Sequence, residues 1–117
     1  MAKIYVASNE VERARKVMST LVNAGHTITF DWTISIEKQS EEDKIGKPLQ
    51  EREAVRECDI LVYLWKDNQE SARFEAGMAM GLQKRIIVVT DHKAWFFALP
   101  EVTQIDSDDE ILSAIKD

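Results

Sequence analysis

Glu75 is the residue best suited by type and context to do chemistry. It stands in S-A-R-F-E-A-G-M-A-M-G, where Ala72, Phe74, Ala76, Met78, Ala79 and Met80 predict a mostly buried helix over residues 71–82. A carboxylate one turn into such a helix must be paired, hydrogen-bonded or functional, because an unpaired charge in apolar surroundings is costly. In a crevice, a carboxylate can attack an electrophilic carbon or stabilise a developing cation. The bland alternative sets Glu75 on one solvated stripe, bridging to Arg73 or Lys84. Gly77 and Gly81 leave room for a close approach to this helix, at about 1 kcal/mol each in helix propensity.

Several familiar sites are missing. There is no G-x-G-x-x-G after the first strand-like run, no G-x-x-x-x-G-K-[ST] and no G-x-S-x-G. A dinucleotide fingerprint, a P-loop and a nucleophile elbow are therefore excluded. His26 and His92 are isolated and read as surface or loop residues. Cys58 is the single cysteine, so neither an internal disulfide nor a cysteine-based zinc site can form. It reads as an inert buried thiol. No cofactor and no metal is expected.

The elements that must position Glu75 follow from hydrophobic patterning. Residues 3–7, K-I-Y-V-A, form a short β-branched and aromatic run that suits a buried strand. Ser8 and Asn9 follow as candidate N-caps of a helix whose apolar face is Val11, Ala14, Met18, Leu21 and Val22. Gly25 sits where a helix C-terminal glycine belongs. Residues 27–32, T-I-T-F-D-W, read as a second strand, and 33–46 as a long polar connection. Pro48 fits the first turn of a helix ending near Glu57. Residues 59–65, D-I-L-V-Y-L-W, have the continuous apolar character of a central parallel strand, and 85–90 repeat it. Residues 102–105 suit a short fifth strand and 108–115 a final helix.

This alternation predicts one α/β domain over residues 1–117, a flavodoxin-like or Rossmann-like three-layer sandwich with a four- to five-stranded parallel sheet. Ligands of such sheets bind beyond the carboxyl ends of the strands, at the switch in strand order. Residues 7–9, 31–33, 66–71 and 90–95 are the segments that reach this edge. At 117 residues, 44% of them hydrophobic, the chain can bury one core and little more, so a deep pocket would need a second subunit. The net charge of −6 disfavours a nucleic-acid surface but leaves room for a single nucleotide, whose phosphate needs only a few donors. No apolar run approaches membrane-spanning length and no signal peptide is visible; the expectation is a cytoplasmic protein with no membrane partner.

Four segments together resemble the nucleoside 2-deoxyribosyltransferase superfamily, which includes the deoxynucleoside 5′-monophosphate N-glycosidases. They are K-I-Y-V-A-S; Q-E-R-E-A-V-R-E-C-D-I-L-V-Y-L-W; S-A-R-F-E-A-G-M-A-M-G-L-Q-K-R-I-I-V-V; and L-P-E-V-T-Q-I-D-S-D-D-E-I-L. They span nearly the whole chain, and F-E-A-G ahead of M-A-M-G-L-Q-K is the most specific. The resemblance implies cleavage or exchange of the N-glycosidic bond of a nucleoside or nucleotide, with Glu75 as nucleophile. Tyr5 matches a tyrosine that hydrogen-bonds the nucleophile, and Glu51 falls where the family usually carries an aspartate that handles the base or its proton. Ser71 replaces a glycine often found four residues before the nucleophile, and Asp67 and Glu70 are candidates to hold the 5′-hydroxyl. Such enzymes complete their pockets across a subunit interface, which implies a homodimer or larger homo-oligomer.

The remaining candidates lie at the carboxyl edge. Ser8 follows the first strand, and Asp31 and Trp32 end the second. Trp32 either stacks on a base or caps the core, and Trp65 carries the same ambiguity. Trp95, Phe96 and Phe97 suggest a subunit interface or a pocket lid. Arg13 and Arg73 read as surface ion pairs, with a phosphate contact as the sharper alternative; the charge run 37–47 reads as a solvated loop. Two other functions use the same scaffold: a TIR-like NAD glycohydrolase, and a non-catalytic module that binds a nucleotide or partner protein.

Overall fold

The computed structural model describes residues 1–34 and 41–116, and of residues 41–46 the backbone alone. Five strands, β1 (Lys3–Ala7), β2 (Thr27–Ile28), β3 (Ile60–Leu64), β4 (Arg85–Val89) and β5 (Val102–Ile105), form one sheet in the order β2-β1-β3-β4-β5. Every pairing is parallel. Four helices connect or follow them: α1 (Val11–Asn23), α2 (Glu41–Glu57), α3 (Ser71–Gly81) and α4 (Ile111–Lys116). Strands β1, β3 and β4 are buried over almost their whole length because helices cover both faces, so their β-branched runs need no polar alternation. Right-handed crossovers put α2 and α3 on one face and α1 and α4 on the other. Tyr5 is the cross-strand partner of Leu61, and Ala7 of Tyr63, so these side chains share the α2–α3 face. The order of strands reverses between β1 and β3, the kind of switch point beyond which ligands of such sheets bind. Among the described residues, no helix is long and apolar enough to cross a membrane.

The details differ from the sequence reading in four places, each for a physical reason. Helix α1 buries Ala14, Val17, Met18 and Leu21, while Val22 is exposed. Its N-cap is Glu10 without a side-chain cap; Ser8 and Asn9 are engaged elsewhere in the crevice loops. Strand β2 is only two residues long. The chain then turns, and the Trp32 indole N–H donates to the Val6 carbonyl at 2.7 Å, taking a ladder position that a longer strand would have filled. Helix α2 begins at Glu41, so Pro48 lies inside it rather than in its first turn, and residues 41–46 are helical rather than loop. Glu41, Glu42 and Asp43 favour a helix start electrostatically, but no apolar period betrays it. Residues 35–40 of the expected connection lie outside the described residues. Gly25, at φ +98°, ends α1 as its position suggested.

The C-terminal segment is fastened by charge as well as by the buried Ile111 and Ala114. Ser107 and Glu110 form a capping box over a 3-10 turn (Asp108–Glu110) that leads into α4. Arg13 grips Asp108 with two bonds of 2.8 and 2.7 Å, so its ion-pair role is the one observed. Arg85 donates to the last carbonyls of α4, at Ala114 and Ile115.

Trp32→Phe keeps the ring and strands the buried Val6 carbonyl. The expected loss is about 1–3 kcal/mol in urea unfolding, the cost of an unsatisfied buried acceptor; unchanged stability would show that the indole bond contributes nothing.

Candidate active site

Helix α3 lies on the sheet through small side chains. Ala72, Ala76 and Ala79 face the strands and allow the helix axis to come close. That approach carries Glu75 inward: it is 6% exposed, whereas Phe74 beside it is 64% exposed. The helix is therefore inverted relative to simple amphipathic expectation, with a carboxyl group inside and a phenyl ring outside. The solvated-stripe alternative for Glu75 is overturned by this orientation, and so is the expectation that Phe74 and Met78 are core. Gly77 and Gly81 have open space where a Cβ would stand, so no part of the described chain uses the close approach they permit.

The Tyr5 hydroxyl donates to Glu75 Oε2 at 2.6 Å across 70 residues of sequence. Packing of α2 against α3 brings the half-buried Glu51 toward the same carboxyl group. Burial, and after it the hydrogen bond with Glu51, pushes the Glu75 carboxyl up to about 9, while the Tyr5 bond opposes the rise. Tyr5 itself is pushed above the ordinary tyrosine range, first by burial and then by the charge of Glu75. At neutral pH the folded chain thus holds a proton on Glu75, whose Oε2 accepts from Tyr5.

The other expected site residues divide by location. Ser8 is half-buried after β1 and accepts from the Glu10 amide at 3.0 Å. Asp67, Glu70 and Ser71 are exposed on the loop that leads from β3 into the Glu75 helix. Asp67 receives the Trp65 indole N–H at 3.4 Å; Glu70 is the N-cap of α3 without a side-chain cap bond. Asp31 is not brought to Glu75. It accepts from the Thr33 amide and hydroxyl and lines a depression with Arg15 and Met18 of α1, on the opposite side of the sheet. Trp32 resolves toward the core: its ring is buried, with the indole N–H spent on Val6.

Gln69 was not singled out by sequence, and Asn9 only as a helix N-cap candidate. Gln69 is buried, donates to the Leu64 carbonyl at 2.9 Å and to Asn9 Oδ1 at 3.2 Å, and accepts from the Lys66 amide at 3.0 Å. Asn9 donates to the Asn68 carbonyl at 2.7 Å. These bonds clip the loop after β1 to the loop after β3, across the switch point. A glutamine in a polar turn carries no sequence signal for such a role. Trp65 stacks on His92 at 4.7 Å, and both rings line a crevice of about 730 Å³ beyond β3, β4 and β5; Phe97 meets Trp65 edge-on at 5.6 Å but is not part of that lining. Trp95 and Phe96 are exposed and do not line it. Cys58 is buried, bonded to the Val55 carbonyl, and pushed up to about 11 by burial, as an inert thiol should be. Among the described residues, no group of three His, Cys, Asp or Glu is arranged to hold a metal ion.

Solved structures share this arrangement of elements. A CMP N-glycosidase of Clostridium botulinum matches 97% of this chain and 98% of its own, with a TM-score of 0.66 and 18% identity. A 2-deoxyribosyltransferase from the psychrotolerant bacterium Bacillus psychrosaccharolyticus matches 94% of this chain and 90% of its own, with a TM-score of 0.69 and 23% identity. The chain has their fold. The flavodoxin-like architecture expected from the alternation of elements is thus the one observed, with the fifth strand in place. No protein-family model and no curated protein sequence matches the chain.

The raised Glu75 has a consequence for stability. Its ordinary value is 4.5 and its folded value about 9. Between these two the folded state keeps a proton that the unfolded state releases, so stability falls as pH rises through that window. Glu75→Gln, neutral throughout, is expected to remove this slope and to melt higher than the parent at pH 8. Melting curves from pH 5 to pH 9 that run parallel for the two proteins would refute the assignment.

Proposed function

We propose that the chain cleaves the N-glycosidic bond of a nucleoside or nucleoside 5′-monophosphate, with Glu75 as nucleophile. The observation that carries this reading is the cluster of Tyr5, Glu75 and Glu51, a buried carboxyl group with a hydroxyl donor on one side and a second carboxyl group on the other. The fold shared with the CMP N-glycosidase and the 2-deoxyribosyltransferase supports it. Neither of those activities is carried over in detail.

The cluster provides both halves of the chemistry. The proton of Glu75 passes to Glu51 as substrate enters, which leaves Glu75 as a carboxylate that Tyr5 stabilises by donation. One Glu75 oxygen attacks C1′ as the C1′–N bond breaks through an oxocarbenium-like transition state. The electron pair of that bond goes to the base nitrogen, and Glu51 supplies the proton the departing base requires. Water or a second base then attacks C1′ of the glycosyl ester, gives up its proton to Glu51, and frees the Glu75 carboxylate with net retention. Asp67 lines the crevice, and Ser8, Glu70 and Ser71 stand on the segments after β1 and β3, where the sugar and its 5′ substituent would be met. Asp31 and Trp32 have no part in the proposal, given their positions.

The test is incubation with deoxynucleosides, deoxynucleoside monophosphates and CMP, with and without a free acceptor base, with base release followed by chromatography. Glu75→Ala is expected to lose roughly 10³-fold or more of the rate, and Glu51→Gln about 10²–10⁴-fold. Equal rates in parent and Glu75→Ala would remove the reading. Base exchange with little net release would mark a transferase, and release indifferent to acceptor a hydrolase.

Self-association belongs to the same reading, since so short a chain has little material for a deep pocket. Phe74, Met78, Leu82, Trp95 and Phe96 are all exposed large apolar side chains, on or after α3 and in the 3-10 turn (Trp95–Ala98). Light scattering is expected to give at least twice the mass of one chain, and Phe74→Asp to lower it; a single-chain mass for the parent would exclude this part of the proposal.

A further inference from the structure

Arg73 stands two residues before Glu75 and has no ion-pair partner within reach among the described residues. Its guanidinium instead donates to three backbone carbonyls of the preceding loop: Gln69 at 3.1 Å, Lys66 at 3.2 Å and Asp67 at 2.9 Å. It also lies over the Trp65 ring, 4.5 Å from the centroid. Beneath it is Tyr63, whose hydroxyl is buried without a partner of good hydrogen-bond geometry. Trp65 in turn stacks on His92. One side chain therefore ties the first turn of α3 to Trp65 after β3 and to three of the four carbonyls of the 66–69 loop. From the other side, Gln69 and Asn9 hold the same loop to the loop after β1. Only a planar group with several fixed donors can meet three carbonyls and lie flat on an indole at once; a lysine ammonium cannot.

We propose that Arg73 is a positioning residue that sets the 66–69 loop in the conformation substrate meets, and so governs binding rather than bond cleavage. This rests on Glu75 being the reacting group. The separation of roles agrees with the surroundings of the Glu75 carboxyl, where Tyr5 and Glu51 act and Arg73 does not. A purely structural ion pair is excluded by the partners, which are neutral carbonyls of one loop rather than carboxylates.

The test compares the full chain with Arg73→Lys and Arg73→Gln. Amide exchange is read first, without substrate. The Lys66 amide, held by Gln69 Oε1, and its neighbours in the loop are expected to exchange roughly tenfold faster in both variants, with β1 and β3 unchanged. With CMP or whichever monophosphate the parent turns over, KM is expected to rise roughly tenfold. kcat and its pH profile stay as in the parent. Unaltered loop exchange overturns the proposal, as does faster exchange spread evenly over the sheet, which would be plain loss of stability. A fall in kcat at constant KM also overturns it. A parent inactive on every nucleoside and nucleotide would sink the Glu75 reading alone, because the exchange measurement still decides whether Arg73 holds the loop.

Discussion

A carboxyl group buried against a sheet is an unfavourable thing to build, and the architecture around Glu75 is organised to permit it. Desolvation alone would drive such a group to its neutral form. The Tyr5 hydroxyl offsets part of that cost through a 2.6 Å bond, which requires β1 to be central and α3 to lie close above it. Close approach in turn requires alanine at 72, 76 and 79, where larger side chains would lift the helix off the strands. Glu51 adds a second acid from α2, which favours the neutral form of Glu75 further. A purely structural role would be served better by an apolar residue at 75, since replacing a buried polar group with a well-packed apolar one is usually neutral or stabilising.

The loops around this group are held in place by side chain-to-backbone hydrogen bonds. Asn9, Gln69 and Arg73 each spend donors on carbonyls of the 64–69 stretch, and Gln69 also satisfies the Lys66 amide. Irregular backbone at the carboxyl edge of a parallel sheet has lost its ladder partners, and these polar side chains replace them. The result is a preformed loop ahead of the Glu75 helix, an arrangement that would lower the ordering cost of binding a ligand there. At the far edge, Arg13 holds the 3-10 turn before α4 and Arg85 the last carbonyls of that helix, alongside the buried Ile111 and Ala114.

Much of the fold was legible because buried parallel strands leave an unmistakable record. I-Y-V-A, I-L-V-Y-L and I-I-V-V could hardly be anything else, and the helices between them show their faces or their glycine stops. Legibility failed where tertiary contacts override the local pattern. Strand β2 is cut short by an indole bonding to a neighbouring strand. The start of α2 has charge but no apolar period, so Pro48 was the stronger punctuation mark. The Phe74 and Glu75 inversion contradicts hydrophobic ordering altogether, which is common where a site must be built at the expense of packing.

By itself, the sequence determined the α/β alternation, the strands at the centre of the sheet, and the oddity of an acid in a small apolar helix. These follow from composition and spacing over short windows, which act locally on the backbone. Only the tertiary structure decided which acids meet. Glu51 joins Glu75 because α2 and α3 pack side by side, whereas Asp31 is carried to the far face and Asp67 and Glu70 stay in solvent on the loop. The rotation of a helix about its axis and the choice of neighbour are set by long-range packing, and one residue's context in the chain does not encode them.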